Sequence, residues 1–446
     1  MPIPKVKGHW LFGSGLEFAK DPIAYISKNS KQYGDFFVVD MRLSKFYISR
    51  HPEVFRKLLQ TNHKNYVKDK FYGKLKLALG EGLLMNEGES WMRQRRLAQP
   101  AFYKKRLIEL FNTMVDIAEG FCDDLSSHCD TGVAINITSE LNRITSDIVV
   151  ATLLGTGLNE DSQYIQDTIL ELQEYIIKHI RRPAAAAFAY VTGEHRRYMK
   201  KMAEFDASIY QIIEDRKKNP DGHNDLLSML MAARDADTGE PMNNRQLRDE
   251  VITIYVAGHE TSSNALSWTW YLLTKHPEVY QKVKQEVNEV LGDKRPDFET
   301  IMRLQYTRQV LDESMRFYPP AWATGREALG PDEILGHKFK KGDMFFMSIY
   351  ELHRHPDYWE NPDQFDPDRF SPDNRKGRPK FVYLPFGAGP RMCIGNNFAI
   401  MEIMLLMATM IRRYDYEILE SHPVIPEPLV TLRPKHGVKL FVRSSL

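Results

Sequence analysis

The stretch from Asn243 to Lys275 constrains this chain most. Asn243-Asn244 offers a helix cap, and apolar residues recur at helical spacing until His276-Pro277 stops the run. At 1.5 Å per residue such a helix spans roughly 45 Å, enough to cross a whole domain, so the remaining elements must be wrapped around it. Its middle breaks a local rule. Ala257-Gly258-His259-Glu260-Thr261-Ser262 follows an apolar half containing Val251, Ile252, Ile254, Tyr255 and Val256, where a glycine, an acid and a hydroxyl are costly. Such a break inside a buried element marks a candidate functional site. Gly258 lets a ligand approach the helix, and Glu260 with Thr261 can relay protons; a kink carrying a solvated polar patch is the other reading. His259 points about 100° away from Glu260 around the helix and reads as a hydrogen-bonded histidine off the site.

A second stretch, Phe386-Gly387-Ala388-Gly389-Pro390-Arg391-Met392-Cys393-Ile394-Gly395, places one cysteine in a glycine-rich loop. An apolar run precedes it (Phe381 to Phe386), and an apolar, helix-like segment follows from Asn396 to about Arg413. Glycines let backbone approach a flat ligand, and a loop feeding a helix aims free N–H groups at whatever sits there. Those N–H groups and Arg391 would stabilise a thiolate. The residues alone leave two readings open, a metal-bound thiolate or a buried free cysteine.

Composition removes several classes. Sixty basic against 59 acidic residues give a net charge of +1, which argues against a nucleic-acid binder. Cys122, Cys129 and Cys393 are too few and too scattered for a disulfide framework or a C-x-x-C zinc site. The N-terminus lacks a signal-peptide core and nothing approaches the ~18 apolar residues of a membrane span, so a soluble, cytoplasmic protein without a transmembrane segment is expected.

Along the chain, residues 1–20 read as an irregular lead-in, Pro22 to Tyr33 as a helix ending at Gly34, and Asp35 to Met41 with Lys45 to Ser49 as a hairpin. His51-Pro52 opens a helix (Glu53 to Gln60). The region from about 87 to 317 is helix-rich, with β-containing parts at about 35–50, 320–350 and 420–446. The fold class expected is mainly α with a minor β component. Glu313 and Arg316 lie three apart on one helix face, and Trp91 and Arg95 four apart.

Phe386, Gly389, Arg391, Cys393 and Gly395 fit an F-x-x-G-x-R-x-C-x-G pattern that resembles the haem-binding loop of the cytochrome P450 superfamily. Ala257 to Thr261 looks like that family's A-G-x-E-T segment, Glu313 and Arg316 like its E-x-x-R motif, and Pro367-Asp368-Arg369-Phe370 like its P-x-R-F segment. Trp91 and Arg95 fit its W-x-x-x-R pattern. The motifs run in the family's order across essentially the whole chain, implying one domain over 1–446, with haem between a long distal helix and a proximal cysteine loop.

The resemblance implies haem b (iron protoporphyrin IX) with Cys393 as the metal ligand. Phe386, Gly389, Arg391, Gly395, Gly258, Trp91, Arg95 and, by a looser alignment, Arg326 contact the cofactor. Thr261 positions dioxygen and its waters, Glu260 passes protons inward, and Glu313, Arg316 and Arg369 form a buried ionic network under the loop. The pocket draws on the 66–79 loop (Tyr72, Leu75), the 171–193 region, Ile254, Ala257, Ala321, Trp322, Ala323 and Val430.

The chain then looks most like soluble bacterial monooxygenases that hydroxylate a hydrophobic substrate, a fatty acid or terpenoid. The resemblance implies O2 as the co-substrate, and no reductase segment is visible. Electrons would come from NAD(P)H only indirectly, through a ferredoxin or flavodoxin with its reductase, to a monomer. Arg93, Arg96, Lys104, Lys105, Arg106, Lys376, Arg378, Lys380, Arg412 and Arg413 would form a positive docking face. A peroxygenase or isomerase of the same fold, or a non-catalytic haem sensor, are the alternative functions.

Overall fold

In the computed structural model the described residues are 2–445 apart from 11–12, 43, 71, 156–167, 169–170, 172–174, 176–188, 190 and 220–223. The 32-residue helix Asn244–Lys275 runs through the middle. Its start is a reciprocal cap: Gln246 N–H donates to Asn243 Oδ1 (2.9 Å), and Asn243 N–H donates to Gln246 Oε1 (3.0 Å). Helices Ile137–Leu154, Gln305–Phe317 and Asn396–Arg413 pack on it, joined in one apolar core. The last of these buries nearly every residue from Phe398 to Ile411, as a helix apolar on all faces must.

The β component is small. Five strands order as Phe36–Asp40, Lys45–Ser49, Met344–Ser348, Ala323–Ala328 and Tyr66–Val67. Only the Lys45–Ser49 and Met344–Ser348 pair is parallel, with Phe46 opposite Met344; the others are antiparallel, with Arg326 opposite Phe345. A three-stranded sheet joins Ile135–Asn136, Lys439–Ser444 and Tyr414–Ile418. Mainly α with a minor β part is therefore what the chain forms.

Three local expectations change. The lead-in contains a helix, Gly15–Lys20. Most of the 66–79 loop is helix, Tyr72–Leu79, because Leu75 and Leu79, four apart, both turn to the main core despite Gly73. The helix after His51 is α-helical only over Pro52–Arg56 and then widens into a π-turn, Lys57–Thr61, that buries Leu58 and Leu59 side by side. The 171–193 pocket expectation falls mostly outside the described residues.

Asp35, just before the first strand, ties the sheet to the segment beyond it. His355 Nε2 lies 3.0 Å from its Oδ2, and Arg50 Nε donates to its Oδ1 at 2.8 Å. The His355 contact, then that histidine's charge and Arg50, outweigh burial and pull the Asp35 carboxyl down to about 2. Its folded value lies below its unfolded value of about 3.9, so its contribution is complete above about pH 4 and is lost as pH falls through about 2. Asp35→Asn should lower stability at pH 7 and flatten the acid limb between about pH 4 and 2, read from denaturation midpoints across that range. An acid limb as steep as the parent's would contradict the assignment.

Candidate functional site

A cavity of about 450 Å³ separates the long helix from the cysteine loop. One wall carries Ala257, Gly258 and Thr261; the facing wall is built from Phe386 to Ala388 and Arg391 to Gly395. The loop folds back on itself, with Cys393 N–H donating to Phe386 O (2.9 Å) and Met392 N–H to Gly389 O (3.1 Å). The Cys393 thiol opens into this enclosed space. Burial pushes it up, against the Gly395 N–H and the Arg95 charge, which favour the thiolate. Protein groups alone thus leave it a thiol, and a coordinating metal would take its proton.

The cation near the sulfur is Arg95, whose Nη1 also donates to Met392 O at 2.7 Å. Arg391 does not serve the thiolate as its position two residues away suggests. Its guanidinium lies 3.7 Å over the Trp91 ring, pairs with Glu87 and donates to Asn86 O (2.9 Å). Lys68, within the 66–79 stretch, shares Glu87 at 2.9 Å. Lys68, Arg95, Arg326 and Arg391 all line the cavity. Burial pulls Lys68 down to about 8, with Arg391 and Arg326 adding repulsion that Glu87 only partly offsets. Arg391 falls to about 10, again by burial first, with Arg326 and Arg95 repelling it. Crowded, half-buried cations of this kind suit a ligand bringing carboxylates. A thiol on one wall, a glycine-bearing helix opposite, apolar sides and a cationic rim fit a flat metal-bearing group with acidic side arms, as haem is.

On the long helix, Thr261 Oγ1 donates to Ala257 O (2.7 Å). Glu260 accepts from Thr431 Oγ1 (2.5 Å), to which Asn264 Nδ2 also donates (3.1 Å). Gly258 borders the cavity, and a Cβ there would press 3.1 Å from a Val149 methyl, so close helix packing also favours the glycine. His259 lies outside the lining: it is buried, its Nδ1 is 2.9 Å from Tyr255 O, and its ring packs on Tyr255.

Behind the cysteine loop, Arg316 and Glu313 have no exposed side-chain surface and pair through Nε–Oε2 (2.7 Å) and Nη2–Oε1 (2.9 Å). Asp366 N–H donates to Glu313 Oε1 (2.9 Å), and Arg369 Nε lies 3.5 Å from the same oxygen. Glu402, on the helix after the loop, is fully buried, neither of its oxygens has a hydrogen-bond partner among the described residues, and burial pushes it up to about 8.

Tyr72, Leu75, Ile254, Ala257, Ala321, Ala323 and Val430 line the cavity. Two expected contacts do not. Gly389 has φ +66° and packs against the Leu59 backbone, which any Cβ would strike, so its glycine answers a chain crossing and not a ligand. Trp322 turns into the sheet-side core, where its Nε1 donates to Leu429 O (2.9 Å), because strand alternation sends it away from its neighbours Ala321 and Ala323. The roles of Lys68 and Glu402 follow no motif spacing, and the tie of Thr431 to Glu260 spans 171 residues, so none of the three is legible in the sequence.

The family model described as cytochrome P450 matches residues 2–441. Cyclooctatin synthase of Streptomyces melanosporofaciens is 30% identical, covering 95% of this chain and 91% of its own. Cyclooctat-9-en-7-ol 5-monooxygenase of the same organism is also 30% identical, covering 91% of this chain and 87% of its own. The crystal structure of the cytochrome P450DA heme domain superposes with a TM-score of 0.91 at 25% identity, covering 100% of this chain and 98% of that one.

Replacing Arg316 with alanine would strand the buried Glu313 carboxylate and should cost about 3–5 kcal/mol, measured by chemical denaturation. Arg316→Lys should recover little, since one ammonium cannot reproduce the two-pronged contact. A loss under about 1 kcal/mol for Arg316→Ala would contradict the ion pair's structural weight.

Proposed function

The chain belongs to the cytochrome P450 family and is a monooxygenase, and from that premise we propose that it hydroxylates an apolar, fatty-acid- or terpenoid-like substrate with O2 and with electrons from separate carrier proteins. The observation that carries this is one cavity with Cys393 on one wall and Thr261 on the other, bordered by a cationic rim and otherwise lined mainly by apolar side chains. When bound, haem supplies oxygen activation, which thiolate ligation biases toward O–O cleavage.

The chain's own residues supply position, charge and protons. Cys393 would give up its proton to become the ligand, and Arg95 with the Gly395 N–H would steady the charge. Trp91, Lys68, Arg95, Arg326 and Arg391 would hold the cofactor's carboxylates at the rim. Thr261 rotates its hydroxyl from the Ala257 carbonyl to a water or to dioxygen in the cavity. Glu260, oriented by the Thr431 hydroxyl that Asn264 in turn holds, would pass protons toward Thr261. Leu75, Leu79, Leu83, Ile254 and Ala323 exclude water and take up apolar substrate. A relative named as monooxygenase of an unsaturated alcohol, cyclooctat-9-en-7-ol, supports a lipid-like substrate.

For the carrier, the positive face is smaller than its sequence suggests. Arg93, Arg96, Arg106, Lys376 and Arg413 are each paired with an acid. The attraction for an acidic ferredoxin or flavodoxin therefore rests mainly on Lys105, Lys380 and Arg412.

Thr261→Ala tests the proton assignment. The variant should still consume reductant, but product per reductant should fall at least about tenfold, with hydrogen peroxide appearing instead. Product formed per reductant at the parent's ratio would contradict the role given to Thr261.

A further inference from the structure

The segment between helices Tyr72–Leu79 and Gly88–Ala98 has no regular structure to hold it, yet Leu83 and Leu84 in it form part of the cavity wall. It is strapped to the long helix by two acidic side chains. Glu81 N–H donates to Asp249 Oδ2 (2.8 Å) and Leu83 N–H to Glu250 Oε2 (3.1 Å). Glycines permit the approach: a Cβ at Gly80 would collide with the Asp249 carboxylate, and one at Gly82 with Thr253 Oγ1 and the Asp249 carbonyl. From the other side Gln94 Nε2 donates to Glu81 O (2.8 Å). Arg248 links the strap onward, donating to Asp249 Oδ1 (2.7 Å) and, through Nε, to Asp206 (2.8 Å) on helix Glu194–Lys218.

Both acids are buried, Glu250 completely, and neither lines the cavity. Burial pushes Glu250 up to about 8, with Asp249 adding to the shift and the Leu83 N–H opposing it. A buried acid on an apolar helix is a costly way to hold a loop, and an apolar contact would hold it without that cost. What the carboxylates add is direction, since two N–H groups fixed on known oxygens define where the following leucines stand.

We propose that Asp249 and Glu250 are positioning residues that set which apolar ligands the cavity accepts, acting through the backbone of residues 81–83 on Leu83 and Leu84. The inference rests on the haem-monooxygenase reading and deepens it. Glu250 lies roughly 16 Å along the helix from Thr261, so the strap governs the reach of a long ligand and leaves the thiol's surroundings alone.

The experiment is spectral titration of the haem-loaded protein with two probes, 1-methylimidazole and 1-dodecylimidazole. The pair Asp249→Ala with Glu250→Ala should weaken the dodecyl probe about tenfold while the methyl probe stays within about twofold. Asp249→Asn with Glu250→Gln keeps both acceptor oxygens and should restore the parent's ratio of affinities. Gly82→Ala lifts the strap with both acids intact, should reproduce the alanine pair's effect, and decides the matter if that pair does not fold. An unchanged ratio in Gly82→Ala and the alanine pair, or equal weakening of both probes, would overturn the proposal. Failure of the parent protein to give the reduced carbon-monoxide band of a thiolate-ligated haem would instead overturn the reading beneath it.

Discussion

Arg316 has no exposed side-chain surface, and its guanidinium is fully engaged inside the protein. It grips Glu313 with two bonds and donates to the carbonyls of His353 (2.9 Å), Pro362 (2.8 Å) and Gln364 (3.2 Å). A planar fork that cannot lose its charge is the group that can satisfy so many acceptors at once. Through these bonds a helix fixes a winding segment with little regular structure. The segment passes the constraint on: His353 Nε2 accepts the Leu384 N–H at 2.8 Å. Burial and the nearby Arg316 and Arg354 charges pull His353 down to about 3, so the ring stays neutral and keeps that acceptor free. Two residues later Phe386 O receives the Cys393 N–H. The thiol's position is thus the end of a hydrogen-bonded chain that starts at a buried ion pair.

The charges around the cavity are sorted by wall. Cations crowd the rim, where acidic arms of a cofactor would neutralise them. Glu402, on the helix after the loop, is fully buried and pushed up to about 8, so it is mostly protonated at neutral pH. The Cys393 thiol is itself pushed up. On the opposite wall the Gly258 backbone serves two neighbours at once, the cavity and Val149.

Much of this was legible because it is local. The cap and length of the long helix, the Glu313–Arg316 spacing and the glycine-rich cysteine loop are written within a few residues of one another, and family resemblance tied them together. What escaped depends on partners far away in sequence. Arg391 meets Glu87, 304 residues distant, and therefore faces Trp91 and the rim in place of the sulfur. Gly389 is a glycine because Leu59's backbone crosses it, and Trp322 leaves the cavity to reach Leu429 O. The helix Tyr72–Leu79 forms through burial of Leu75 and Leu79, which local propensity with Gly73 does not reveal. Asp249 and Glu250 belong to no local motif, and their role depends on the 80–83 segment, some 167 residues away, being laid across them.

The claim on which all of this depends is that Cys393, positioned by the Arg316 chain, is the thiolate ligand of a bound haem. Reduced protein treated with carbon monoxide should show the difference band of a thiolate-ligated haem, and Cys393→Ala should abolish it. A parent protein that binds haem but lacks that band, or a Cys393→Ala variant that keeps it, would contradict the account.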